Sequence, residues 1–362
     1  MSIYGAQTLD APLYDDAAKR YDAILFLSFG GPEGPDEVMP FLEHVTAGRN
    51  VPRERLEEVA GHYLHYGGVS PINAQNRALI AALREELDAH GLADLPIYFG
   101  NRNSEPFVGE TVRQMEEDGV RSGLVFVTSA FSTWSGCRQY REDVFRALEG
   151  IDHRIAFDKI RVFYNHPGFV EPMADNVRAA LDRFPAERQD GVEVVFTAHS
   201  IPLSMAAGSA YERQLDESCR LVAERAGTPT WRLVYQSRSG SPRIPWLEPD
   251  IVAALDTLHG EGRDDVIVVP IGFISDHMEV LFDLDDEAKE HAIKLSMHME
   301  RAATVGTDPR FVSMIRELIV ERMTADPERR ALGTIGPNHD ICPLDCCQLG
   351  TGPERITMRR PA

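Results

Sequence analysis

The chain has 362 residues, 43% of them hydrophobic and 26% charged, a balance that suits a folded protein large enough for two domains. Lys plus Arg number 37 against 57 Asp plus Glu, a formal net charge of -20, which argues against a nucleic-acid binder but leaves room for an anionic substrate met by a local arginine group. No apolar run is long enough to cross a bilayer, and the N-terminal MSIYGAQTLDAPLYDDAAKR lacks the apolar centre of a signal peptide, so a cytoplasmic protein is expected.

Residues 1–20 read as an arm, and Tyr21–Phe29 as a buried parallel strand, apolar almost throughout. That strand runs into Gly30, Gly31 and Pro32, then a helix begun in GPDEVMPFLEHV. Further helices are predicted over Pro52–His65 and Asn73–His90, the second with Leu79, Leu83 and Leu87 on one stripe. Next come a strand at Pro96–Phe99, a helix at Phe107–Asp118, a strand at Gly123–Ala130 and a helix at Cys137–Leu148. Arg161–Tyr164 is a strand-like run before the turn Asn165–Gly168. The second half alternates in the same way: helix Phe169–Phe184, strand Val192–Phe196, helix Tyr211–Ala226, strand Arg232–Gln236, helix Ile251–Leu258 and strand Val266–Val269. Helical patterns over Leu284–Ala303 and Phe311–Met323 end the regular part, and a Gly- and Pro-punctuated tail follows.

Short buried strands alternating with helices predict a doubly wound α/β protein. The halves rhyme, so two similar α/β domains are expected to face each other across a cleft, over 21–160 and 161–325, with 326–362 as a tail. GGPEGP lacks the G-x-G-x-x-G spacing and no phosphate-binding loop is present, which argues against a nucleotide site.

Two loops carry the candidate chemistry. VEVVFTAHSIPLSM brings His199 to the end of a predicted strand, and VIVVPIGFISDHMEVLFDLD brings Asp276, His277 and Glu279 to the end of another. Carboxyl ends of strands are where open α/β sheets bind ligands. A lone loop histidine is as readily a cap or a surface residue, and exposed glutamates are the norm. Together, an imidazole and a carboxylate can hold a borderline divalent metal or move protons. His277 is a candidate neighbour of Glu279. If the segment turns helical, Glu279, Asp283 and Glu287 form an acidic ladder at four-residue spacing: a solvated face, or a cation path into the cleft.

The five cysteines are odd in number and the chain is large, so a disulfide scaffold is not expected. Cys219 lies on the apolar stripe of its helix and reads as a core thiol. Cys342, Cys346 and Cys347 sit in the irregular tail, where no core needs them. Zinc or an iron–sulfur cluster would require a fourth ligand, for which Cys137 is the natural candidate.

The motifs LSFGGP, YGGVSPINAQ, FTAHSIP and GFISDHMEVLFDLD, in this order, closely resemble those of the ferrochelatase family, and the resemblance runs from about residue 22 to about residue 325. It implies two flavodoxin-like (Rossmann-like) domains around a porphyrin cleft, and insertion of ferrous iron, the substrate metal, into a porphyrin. His199 then matches the essential metal-site histidine and Glu279 its carboxylate partner. Ser70 and Tyr140 match positions that contact the macrocycle or a propionate. Phe29 stands where some members carry a ligating tyrosine over the opposite porphyrin face, and it cannot ligate. Arg49 lies in the loop region lining the porphyrin mouth in relatives; Arg102 and Arg138 are further candidate partners for propionates.

Some members bind a 2Fe–2S cluster through one mid-chain and three late cysteines, an arrangement that Cys137, Cys342, Cys346 and Cys347 fit, with a zinc site as the rival. Such a cluster would staple the tail to the first domain. The tail cysteines resemble those of actinobacterial members, and with no extended apolar lip the substrate expected is coproporphyrin III. Protoporphyrin IX, a cobalt-inserting chelatase and a non-catalytic haem carrier are the alternatives. A monomer is expected, with a transient iron donor or haem-pathway enzyme as partner.

Overall fold

The computed structural model describes residues 12–48, 51–151, 155–239, 243–343 and 345–349. The apolar runs become the centres of two sheets. Ala23–Ser28 (β1), Ile97–Asn101 (β2), Ser122–Val127 (β3) and Ala156–Lys159 (β4) form one four-stranded sheet in the order β2-β1-β3-β4. Glu193–His199 (β5), Trp231–Gln236 (β6), Asp265–Val269 (β7) and His298–Arg301 (β8) form the other, ordered β6-β5-β7-β8. Every pairing is parallel, and the second sheet repeats the order of the first. β1 is buried at every position and β5 at all but its last, which is why AILFL and VVF are apolar throughout, and the buried Glu193 that opens β5 is paired with Arg232.

The helices are Pro35–Val45 (α1), Arg53–His65 (α2), Ile72–Ala89 (α3), Val108–Glu117 (α4) and Gln139–Ala147 (α5) in the first half. Pro167–Leu181 (α6), Leu203–Ala207 (α7), Tyr211–Ala226 (α8), Ile251–Gly260 (α9), Met278–Val280 (α10), Lys289–Lys294 (α11) and Pro309–Met323 (α12) follow. Two stretches, Trp134–Arg138 and Leu281–Ala288, wind as π-helix. The expected pair of similar parallel α/β layers is thus present.

The halves share one core. It runs from Phe26 and Phe126 through Phe163, Phe169 and Phe311 to Phe196. The rings of Phe126 and Phe163 stack at 5.7 Å between centroids, and Phe163 meets Phe311 edge-on at 5.8 Å. α12 packs on α6 and also on α3, tying the last helix to the first half.

Two expected elements are corrected. Arg161–Tyr164 is not a strand; the strand is β4, just before it. Leu284–Ala303 is not one helix: the chain leaves α11, turns through Ser296 at φ 62° and adds β8. Both missed strands are short edges of only four residues, with one partner each and polar side chains among them, so neither shows the apolar run of a central strand. The run at 161–164 is apolar because it enters the shared core, not because it pairs.

Each sheet has its switch in winding direction beside its second-listed strand, between β1 and β3 and between β5 and β7. Strand ends at such a point leave a crevice for ligands. After β1 the chain turns through Gly30 at φ 83°, where a Cβ would lie 2.4 Å from Ser104 Oγ, so only glycine lets the loop lie flat against that crevice.

Arg161 ties the tail to the core. Its side chain is 0% exposed and forks onto Glu321 of α12 at 2.8 and 3.0 Å, with another bond to the Arg330 carbonyl at 2.9 Å. Arg161→Met strands the Glu321 charge and is expected to cost about 3–5 kcal/mol in urea unfolding, whereas Arg161→Met with Glu321→Leu recovers most of the loss. Equal losses in the single and double variants would show that the charge is not what matters.

Candidate active site and thiol centre

β5 ends in His199, which pairs in register with Gln236 of β6. The imidazole Nδ1 donates to the Ser200 carbonyl, which leaves Nε2 facing Glu279 at 3.5 Å from Oε1. Glu279 comes from the loop after β7. That loop crosses close over β5: at Gly272 a Cβ would stand 2.8 Å from Ala198 Cα. His277 caps α10, its Nδ1 accepting from the Glu279 backbone N–H at 3.2 Å. An Nδ1 that accepts carries no proton, so His277 holds its proton on Nε2 and makes no ion pair with the Glu279 oxygen 3.9 Å away. The two histidines therefore meet one residue differently: His199 turns a protonated Nε2 to the Glu279 carboxylate, and His277 turns an unprotonated Nδ1 to its backbone N–H.

The electrostatics separate three acid–base groups. Burial works against the charge on His199, but Glu279 outweighs it and the imidazole is raised to about 9. Burial likewise opposes the Glu279 charge, and His199 outweighs it, lowering the carboxyl to about 2. His277 is pushed down, by burial first. Asp283, in the π-helical stretch, is raised to about 7 by burial, with the Glu279 charge adding to it. Ser237 donates to Asp283, and Gln236 donates to the Glu279 carbonyl at 2.8 Å, so the end of β6 sets the π-helical stretch against the pair. Asp283 is also within electrostatic reach of Glu287, which is exposed. The acidic series thus steps from the cavity wall, through a half-buried group, to the surface.

His199 and Glu279 open onto a cavity of about 300 Å³ lined from both halves. Phe29, Ser70 and Tyr140 line it from the first half, as does Tyr63. Arg102 is there too, but its charge is already engaged: Nε donates to Asp143 at 2.5 Å, and the guanidinium lies 4.7 Å from the Tyr140 ring centroid. Arg138 lies away from the cavity, donating to the Cys346 carbonyl at 3.2 Å and to Glu142. Arg49 falls outside the described residues. Cys219 is fully buried in the core.

A second centre lies behind the cavity wall. Cys137, in the π-helical stretch Trp134–Arg138, and the tail residues Cys342, Cys346 and Cys347 line a pocket of about 10 Å³. Cys346 and Cys347 sulfurs are 3.5 Å apart. Each of the four thiols is within hydrogen-bonding reach of two others, in the cyclic order Cys137, Cys342, Cys346, Cys347. Hydrogen bonds from Cys137 and Cys346 hold the Cys342 thiol well below its ordinary value. His339 joins from outside the ring, with Nε2 3.6 Å from Cys346 Sγ. One ligand atom each from His339, Cys342 and Cys346 falls within 4.8 Å of the others, a candidate three-ligand metal site.

Residues 21–323 match the family model described as Ferrochelatase. The chain belongs to the ferrochelatase family. It is 54% identical over 343 residues to the ferrochelatase of Rhodopirellula baltica, covering 94% of this chain and 95% of that one. It is 52% identical over 355 residues to the coproporphyrin III ferrochelatase of Streptomyces coelicolor, covering 91% and 94%. The coproporphyrin III ferrochelatase of Corynebacterium glutamicum is 51% identical over 340 residues, covering 89% and 92%.

Sequence reasoning about this ferrochelatase missed Gln236, Ser237 and His339. Gln236 ends β6 and Ser237 follows it, and both read as loop polarity. His339 precedes Cys342 by three residues, a ligand-like spacing that a search confined to cysteines passes over.

Glu279 is the group that keeps His199 charged. The pair's contribution to stability is complete between the ordinary values of 4.5 and 6.5 and fades as pH climbs through about 9 or falls through about 2. In metal-free protein, Glu279→Gln leaves only the Ser200 carbonyl and the Asp283 charge to oppose burial, and an NMR titration of the His199 ring is expected to fall well below about 9. A midpoint still near 9 would place the source of the shift elsewhere.

Proposed function

We propose that the protein inserts ferrous iron into coproporphyrin III. One observation carries this reading: an imidazole–carboxylate pair set into the wall of a cavity built from both halves. The choice of porphyrin is supported by relatives about half identical to this chain that are named coproporphyrin III ferrochelatases.

Insertion requires both pyrrole protons to leave as the metal–nitrogen bonds form. His199 has a single free ring nitrogen, Nε2, because Nδ1 is committed to Ser200. At neutral pH that nitrogen carries a proton shared with Glu279. An approaching Fe²⁺ repels this proton while Glu279 attracts the metal, so metal entry and proton departure are coupled at one pair of side chains. Once neutral, Nε2 is the base that takes a pyrrole proton. Asp283, poised near 7, passes protons toward Glu287 and solvent. Phe29, Ser70 and Tyr140 would bear on the macrocycle, with Ser70 offering a hydroxyl to it or to a propionate. Arg49, in the loop region named for the porphyrin mouth, remains part of this proposal on its sequence position alone.

The four thiols would hold a 2Fe–2S cluster. Their number, their cyclic contact and the cationic groups around them suit an anionic, thiolate-bound centre. When bound, such a cluster supplies one-electron chemistry. Its ligands would also join the tail to the first half, since Cys137 belongs to one and the other three to the other.

With anaerobic protein, Fe²⁺ insertion into coproporphyrin III is expected to outpace insertion into protoporphyrin IX. His199→Ala should slow it by about a hundredfold to ten-thousandfold while still binding porphyrin. Porphyrin binding without insertion by the unaltered protein would favour a carrier instead. Iron and acid-labile sulfide in the anaerobically purified protein support the cluster; zinc alone would assign the centre to a zinc ion on His339, Cys342 and Cys346.

A further inference from the structure

Lys159 is the last residue of β4. A lysine at the end of an edge strand ordinarily reads as a solvent-facing charge. Here it is 4% exposed, and its Nζ is buried with no hydrogen-bond partner of good geometry. Among the described residues no carboxylate forms an ion pair with it. The contrast with Arg161, two residues on, is instructive: that buried cation has Glu321. What faces Lys159 is sulfur, since its strongest charged neighbours are Cys342, Cys137 and Cys346. A small cavity of about 20 Å³, lined by Cys137, Lys159 and Arg161 among others, has room for a water. A water can accept one N–H of the ammonium but cannot balance its charge.

A buried ammonium persists only where something anionic compensates it. Neutral thiols do not; thiolates bound to iron do. We propose that Lys159 is the built-in counter-charge of the thiol centre and holds the reduction potential of an iron–sulfur cluster above the value its thiolates alone would give. This rests on the cluster reading above. One-electron reduction adds a negative charge to a centre that is already anionic. A fixed cation beside it in a water-poor environment favours the reduced form, whose electron comes in the test from dithionite. Arg138 and Arg141 also line the thiol pocket. Arg138 is already paired with Glu142 and its side chain is 27% exposed, so solvent and that partner weaken its field. Lys159 has neither form of screening.

The test uses the full chain purified without oxygen, with iron, sulfide and circular dichroism measured before a reductive titration followed by EPR. Lys159→Met should retain the fold and shift the one-electron equilibrium at least tenfold toward the oxidised form, a fall of about 59 mV. Lys159→Arg, which keeps the charge, should shift it less. Loss of the cluster from Lys159→Met alone, with the fold intact and Lys159→Arg loaded, supports the same role. Should Lys159→Met fail to fold, Lys159→Gln supplies the neutral variant. An unchanged potential in the neutral variant, or equal shifts in the neutral and arginine variants, overturns the assignment to charge. Unaltered protein without acid-labile sulfide overturns the cluster reading itself, an outcome distinct from a loaded cluster indifferent to Lys159.

Discussion

The site depends on holding opposite charges against burial at the ends of two strands. His199 and Glu279 each resist being ionised where they sit, and each is ionised because the other is 3.5 Å away. The Ser200 carbonyl fixes which nitrogen takes part, and the Glu279 backbone fixes the tautomer of the neighbouring His277. Asp283 is held near 7 by burial first, with the Glu279 charge adding to it and Ser237 and His199 opposing it. Three groups within one small region are thereby driven to widely separated values, the arrangement that lets a site hold, accept and release protons at a single pH.

The fold supplies the distances. Loops after β5 and β7 meet at the switch point of the second sheet, and the equivalent turn after β1 brings Phe29 and Gly30 to the same cavity. Neither sheet makes the cavity alone. The aromatic cluster of Phe126, Phe163, Phe169 and Phe311 joins the two halves into one core, so the walls are held against each other by packing rather than by a flexible linker.

What could be read from the chain follows from how each feature is encoded. Central strands are legible because burial on both faces demands an unbroken apolar run, as in AILFLS. Edge strands β4 and β8 have no such demand, and FDK and HMER look like loop. The motifs around His199 and Glu279 drew attention to both residues, but their separation, and the different protonation of His199 and His277 beside Glu279, belong to three dimensions. The four-residue acidic spacing suggested a ladder on one α-helical face. Instead the segment after Val280 widens into a π-helix, and Gln236 and Ser237 orient it. Lys159 and Arg161 are both cations that composition assigns to the surface. Their burial follows from tail residues far away in the chain, which local pattern does not register.

The two centres are not mechanically separate. The π-helical stretch Trp134–Arg138 and the start of α5 present Ser135, Gln139 and Tyr140 to the large cavity, while Cys137, between them in sequence, points to the thiols. The turn is tight: the Gly136 N–H donates to Thr133 Oγ1 at 2.6 Å, and a Cβ on Gly136 would stand 2.7 Å from Ser129 Oγ. Successive side chains of a helical turn leave its axis in different directions, which is how one short segment serves two pockets. Because the segment is anchored on both sides, whatever ligates Cys137 also restrains the wall that carries Tyr140. The tail thiols therefore contribute to the shape of the cavity wall without lining the cavity themselves.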